Sequence, residues 1–210
     1  MLNELKVGKQ LGGTGAINTA RGGKTGETVI ANAHGLYYEP ASLADIFVIA
    51  NQSGITTQAG LSATTPALTL YNPLGSGVNA SIIYAGCVTS VAFAAASVIW
   101  LGANTNLAAA AVTGTATTAQ RCSYLGNAKY PSCIPLLAAT LPAAPVAVAT
   151  LGVGLTGAIT TAPSSATLGR YFDGALILAP GSAISFQTST ASGASGFFGE
   201  LIWEEILIVS

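Results

Sequence analysis

The sequence predicts an all-β fold, an antiparallel β-sandwich or barrel behind an extended N-terminal arm. Three observations carry this expectation. From residue 34 onward, turn residues recur about every 10 positions, the spacing of short antiparallel strands. The runs between them are rich in β-branched and aromatic side chains, which fit a pleated, half-buried surface. Helix signals are thin, because caps are rare and Thr, Val, Gly and Pro are spread throughout.

Taken in order, residues 1–30 come first. The stretch LGGTGAINTARGGKTGE has no sustained period of 2 or 3.6 and reads as an arm ordered, if at all, by neighbours. Residues 31–210 then form the sandwich domain. IFVIA (46–50) is a short apolar strand followed by the turn residues Asn51, Gln52, Ser53 and Gly54. ALTLY (67–71) is a second, closed by Asn72-Pro73-Leu74-Gly75-Ser76-Gly77. VNASIIYAG (78–86) and CVTSVAF (87–93) read as two further strands. The segment 103–165 is ambiguous: LAAAAV (107–112) suits a helical turn or a strand, and Pro145 prevents a regular helix across 141–150. GALILAPGSAISFQTST (174–190) holds two alternating runs around Ala179-Pro180-Gly181-Ser182. There Pro180 presets the first central φ of a type II turn and Gly181 accepts the positive φ of the second. In ELIWEEILIVS (200–210), Leu201, Trp203 and Glu205 share one face of a terminal strand, opposite Ile202, Glu204 and Ile206.

Charge narrows the function classes. Charged residues make up 7% of the chain and the net charge is −1, against about 25% charged residues in an average soluble domain. Residues 46–120 carry no formal charge. A surface of Thr, Ser, Asn and Gln with so little net charge gives weak protection against association, so surfaces buried against neighbouring subunits are expected. Nucleic acid is not an expected partner. The loose basic group Lys6, Lys9, Arg21 and Lys24 is interleaved with Gly and two Glu, and reads as a solvated arm. Ile82–Leu101 is long enough to span a bilayer. No Lys or Arg flanks it, and two buried strands joined by small residues account for it better. No membrane association is therefore expected. The opening MLNELKVGKQLGG lacks the apolar core of a signal peptide, so the chain is expected to be intracellular when made.

The residues available for catalysis do not assemble into a motif. Lys24-Thr25 follows Gly22-Gly23, but a phosphate-binding loop needs Gly at position 18, which is Asn. His34 is the single histidine, no Gly-x-Ser-x-Gly is present, and His34 reads as a loop or strand-start residue. Cys87, Cys122 and Cys133 are too widely spaced for a metal-binding pair. They read as buried thiols, although Cys122 and Cys133 could pair. Glu204 and Glu205 fall on opposite strand faces, so they cannot work together, and with Glu200 and Asp173 they read as edge or interface charges. Asn51 and Asn79 head glycosylation sequons that matter only to a secreted chain. The expectation is a non-enzyme with no catalytic, cofactor or metal residues.

Longer strings carry a resemblance. HGLYYEPASLADIFVIANQS, ALTLYNPLGSGVNASIIYAG, DGALILAPGSAISFQTST and GELIWEEI resemble tailed-bacteriophage capsid decoration (cement) proteins of the jelly-roll type. The features in common are the turn Asn72–Gly77, a Leu-x-Pro-Gly hairpin at Leu178–Gly181 and a closing strand through Ile202-Trp203-Glu204-Glu205. The resemblance covers 34–100 and 170–210, with a poorly matching middle. It implies a jelly-roll sandwich and a virion structural protein on the capsid surface, made in the host cytoplasm. It further implies a homotrimer bound to the major capsid protein, an arm reaching across the shell, and no catalytic residues. Ala94, Ala95 and Ala96 would permit close approach of sheets or subunits, and Phe197, Phe198 and Trp203 are candidate packing anchors or core aromatics. The alternative is a tail or fibre adhesin binding a receptor or glycan, against which the shortage of aromatic–acid clusters in the sequence counts.

Overall fold

A computed structural model describes residues 35–108, 111–117, 120–154, 168–192 and 196–208. The arm expected over 1–30, with its basic residues, and His34 lie outside them, as do Ala109 and Ala110 of the ambiguous 107–112 run. The chain divides into two units, Met1–Glu39 and Pro40–Ser210. A single helical turn, α1 (Tyr38–Ser42), is the one helix among the described residues.

Eleven strands follow among those residues: β1 (Ile46–Ala50), β2 (Thr69–Asn72), β3 (Val78–Thr89), β4 (Ser97–Asn104), β5 (Thr113–Ala116), β6 (Arg121–Cys122), β7 (Ile134–Thr140), β8 (Val146–Gly154), β9 (Leu168–Leu178), β10 (Ser182–Thr188) and β11 (Phe197–Leu207). They form a five-stranded sheet in the order β6-β1-β11-β3-β9 and a six-stranded sheet in the order β5-β7-β2-β10-β4-β8. First-half strands pair antiparallel with last-half strands in reverse order: β1 with β11, β2 with β10, β3 with β9 and β4 with β8. Successive pairs alternate between the sheets. This is a long hairpin rolled into a sandwich, the jelly-roll wrapping. The ambiguous middle supplies the additions, β6 on the β1 edge and β7 with β5 on the β2 edge.

Three local expectations are corrected. β3 runs unbroken from Val78 to Thr89, whereas a break between 86 and 87 was expected. Gly86 and Cys87 stay paired on both sides, with Glu200 and Gly199 of β11 and with Gly169 and Leu168 of β9, so the glycine is a close-packing position and not a turn. The Leu178–Gly181 segment is not a hairpin. It carries the chain from β9 in one sheet to β10 in the other, while Gly181 does take the positive φ, +79°. Ala94, Ala95 and Ala96 do not lie between the sheets, as one of their two expected roles required; they are exposed on the β3–β4 connection. Ile82–Leu101 is accordingly the end of β3, that connection, and the start of β4. No helix among the described residues is long and apolar enough to cross a membrane.

Between the sheets, Phe47, Leu70, Ile82, Ile99, Leu101, Ile184, Phe186, Phe197, Leu201 and Trp203 are all essentially sealed from solvent. Phe47 packs on Trp203, and Phe186 on Phe197, each pair with ring centroids 5.9 Å apart. Deleting one such aromatic would cost about 3–5 kcal/mol. A second apolar cluster of Tyr71, Leu107, Val112, Leu136, Ala139, Leu141 and Ala183 lies on the far face of the six-stranded sheet.

The two sheets differ sharply in charge. No strand of the six-stranded sheet contains a charged residue. Its central strand β10 is buried at every position. The 51–68 connection lies over that strand: Ser62 N–H donates to Gln187 Oε1 (2.9 Å), and Thr188 Oγ1 donates to Thr57 Oγ1 (2.7 Å). Thr57 and Ser192 complete the network with reciprocal bonds from their N–H groups to each other's hydroxyls. Neutral polar groups of this connection and of β10 thus satisfy one another at no cost of charge desolvation.

Candidate functional site

The residues with the most chemistry in sequence are dispersed by the fold. Cys87, Cys122 and Cys133 are all buried and free. Burial, the larger cause, and nearby Glu200 push the Cys87 thiol up to about 12. Burial and Glu205 push Cys133 higher still. Both stay protonated at neutral pH, which disfavours them as nucleophiles. Asp173 sits at an exposed bulge of β9 with φ +49°. No group of three His, Cys, Asp or Glu among the described residues could hold a metal ion.

Glu205 corrects the expectation of an edge or interface charge. It is buried beside Trp203, and its carboxylate accepts from Ser132 N–H (2.8 Å), Cys133 N–H (2.9 Å) and Trp203 Nε1–H (3.2 Å). It is a structural acceptor pinning the loop before β7 to the five-stranded sheet. Glu204 lies on the opposite face, as alternation requires.

A constellation that sequence reading missed lies on the outer face of the five-stranded sheet. Register aligns Val48 of β1, Ile202 of β11, Tyr84 of β3 and Tyr171 of β9 in one transverse row. The adjacent row is Ala50, Glu200, Gly86 and Gly169. With no side chains on the paired glycines, the Tyr84 phenol lies flat across them. A Cβ built on Gly86 would meet the Tyr84 hydroxyl at 2.5 Å and Glu200 Oε1 at 2.7 Å, and one on Gly169 would overlap that hydroxyl outright. The hydroxyl is hydrogen-bonded to Glu200, and the phenol is held above its ordinary pKa, first by burial and then by the Glu200 charge. Tyr171, 66% exposed, packs on Tyr84 at 4.8 Å between ring centroids. These residues are far apart in the chain, and no local sequence pattern marks them as a group.

A second feature is the flank where the sheets' edge strands β8 and β9 approach each other. Ala149 and Leu151 of β8, and Leu168, Phe172 and Leu176 of β9, pack on the core but remain partly exposed. Val146, Val148 and Val153 of β8 and Ile177 of β9 are exposed outright, Val146 by 70%. β9 carries deterrents to edge pairing: Arg170, whose guanidinium lies 5.2 Å over Phe172, and the Asp173–Gly174 bulge. β8 has neither charge nor proline, only irregular pairing with β4.

A third feature is a cleft of about 270 Å³ beside β6, lined by Arg121, Asn127, Lys129 and Tyr130 among others. Lys129 is already engaged, in an ion pair with Asp45 (2.5 Å) and 5.8 Å from the Phe47 ring centre.

Comparison with known proteins finds no family model, no curated protein and no solved structure that matches this chain.

Proposed function

We propose that this chain is a structural, non-catalytic virion subunit, a capsid decoration or cement protein that binds the major capsid protein and stabilises the outer shell as a homotrimer. The observation that supports this best is the β8–β9 flank, where core side chains are left partly exposed beside an uncharged edge strand. Monomeric proteins guard such edges, and identical subunits arranged about a symmetry axis would cover them. The link to a capsid rests on the turn and closing-strand strings of the sequence.

Light scattering after gel filtration tests the assembly. The wild type is expected at three times the protomer mass of 20.8 kDa. Val148→Lys, at a half-exposed site on β8, is expected to run as a monomer with little loss of folded stability. A wild type that stays monomeric, or a Val146→Lys/Val148→Lys double variant that stays trimeric, overturns the proposed role of the flank. Electron micrographs of particles with and without the protein test the capsid assignment.

A further inference from the structure

We propose that the outer face of the five-stranded sheet binds neutral saccharides, with Tyr171 as a stacking platform and Glu200 as a hydroxyl acceptor held in place by Tyr84. This goes beyond a shell-subunit role and does not depend on it.

The face has the parts such a ligand needs. A pyranose presents one side of weakly polar C–H bonds and a rim of hydroxyls. The C–H side suits the negative face of an aromatic ring, and the hydroxyls suit a fixed carboxylate. Tyr171 offers a largely exposed ring, and Tyr84 continues the surface as a floor lying over Gly86 and Gly169. The Tyr84 hydroxyl engages Glu200, which orients the carboxylate without burying it, since Glu200 is exposed. The strip is open across the strands. On one side stands the row Val48, Ile202, Tyr84 and Tyr171, and on the other the row of Phe198 and Val88, with successive rows about 7 Å apart. Any side chain on Gly86 or Gly169 would displace the phenol and destroy the floor.

Charge selects the ligand class. Glu200 and Glu204 lie on this face beside the tyrosines, whereas Arg121, in register with Val48, stands at the far edge of the sheet and Arg170 is turned onto Phe172, so acidic sugars and phosphorylated glycans are repelled at the tyrosines. Neutral hexose and N-acetylhexosamine oligomers remain. Tyr84 and Glu200 are positioned by the fold alone, so the site is preorganised and needs little ordering on binding.

The test is a printed array of neutral and acidic oligosaccharides probed with the full-length wild type, followed by calorimetry on the strongest neutral binder. Binding to neutral oligosaccharides with none to acidic ones is expected. Tyr171→Ala should weaken it about tenfold, Tyr171→Trp should retain it, and Glu200→Gln should weaken it with an unchanged circular dichroism spectrum. Absence of binding to every neutral oligosaccharide, preference for acidic ones, or unchanged affinity in Tyr171→Ala overturns the proposal. Oligomeric state is read separately by light scattering, so failure here and failure of the shell-subunit reading are distinguishable.

Discussion

Single residues hold the two crossing points of the sandwich. Asn72 is fully buried where β2 leaves its sheet, and its Nδ2 donates to Val78 C=O and Leu178 C=O, both at 2.9 Å. Its own carbonyl accepts Gly181 N–H at 2.8 Å. One amide therefore ties the β2–β3 crossover to the β9–β10 crossover. Asn72→Ala removes a donor from two buried carbonyls and should cost about 2–4 kcal/mol; urea unfolding that shows under about 1 kcal/mol would disprove the tie. Glu204 makes a prediction in pH. Burial, and then the nearby Asp45 charge, hold its carboxyl above the ordinary value of 4.5. The folded state then keeps the proton more strongly than the unfolded state. Its contribution to stability is complete below the ordinary value and is lost as pH rises through the raised one. Glu204→Gln should therefore gain stability over wild type above that range and match it at lower pH, as read from thermal midpoints across a pH series.

At the level of elements, periodicity was legible and pairing context was not. In β11 the buried positions Leu201, Trp203 and Glu205 alternate with Ile202, Glu204 and Ile206, as period-2 reading expects. β1 occupies Ile46–Ala50, the IFVIA run. In β10, however, the alternate residues Ser185 and Gln187 are as buried as Ile184 and Phe186, because a loop distant in sequence covers them. The turn after β9 was legible in residue type and illegible in role. Pro180-Gly181 specifies a tight turn whether the next strand joins the same sheet or the opposite one. Gly181→Ala puts a Cβ 2.9 Å from Leu74 Cδ2 and 3.0 Å from the Leu107 carbonyl oxygen, at a φ of +79°. The loss should be about 1–3 kcal/mol, with Pro180→Ala costing distinctly less in the same thermal unfolding series.

For the whole molecule, charge scarcity has two sources. One is internal: in the neutral six-stranded sheet, the central strand β10 is covered by the 51–68 connection, which completes its side-chain hydrogen bonds. The other is the β8–β9 flank, where apolar surface remains uncovered within one subunit. If that flank closes on copies of itself, folding and assembly are linked by mass action, and the wild-type thermal midpoint should rise with protein concentration. Val148→Lys should remove that dependence.

The sequence by itself determined the all-β class, the positions of β1, β2 and β11, and that the long apolar run holds two strands, though not where the first ends, because turn residues and alternation act over a few positions. Tertiary structure alone decided which strands pair, which sheet each joins and which alternating residues are doubly covered. The grouping of Tyr84, Tyr171 and Glu200 is of the same kind. Each depends on register between segments tens of residues apart, and no local pattern encodes a partner at that distance. Glu205 makes the point in one residue. Its place on the inner face was legible from alternation, but that a carboxylate could be buried there depended on three donors from β11 and the loop before β7.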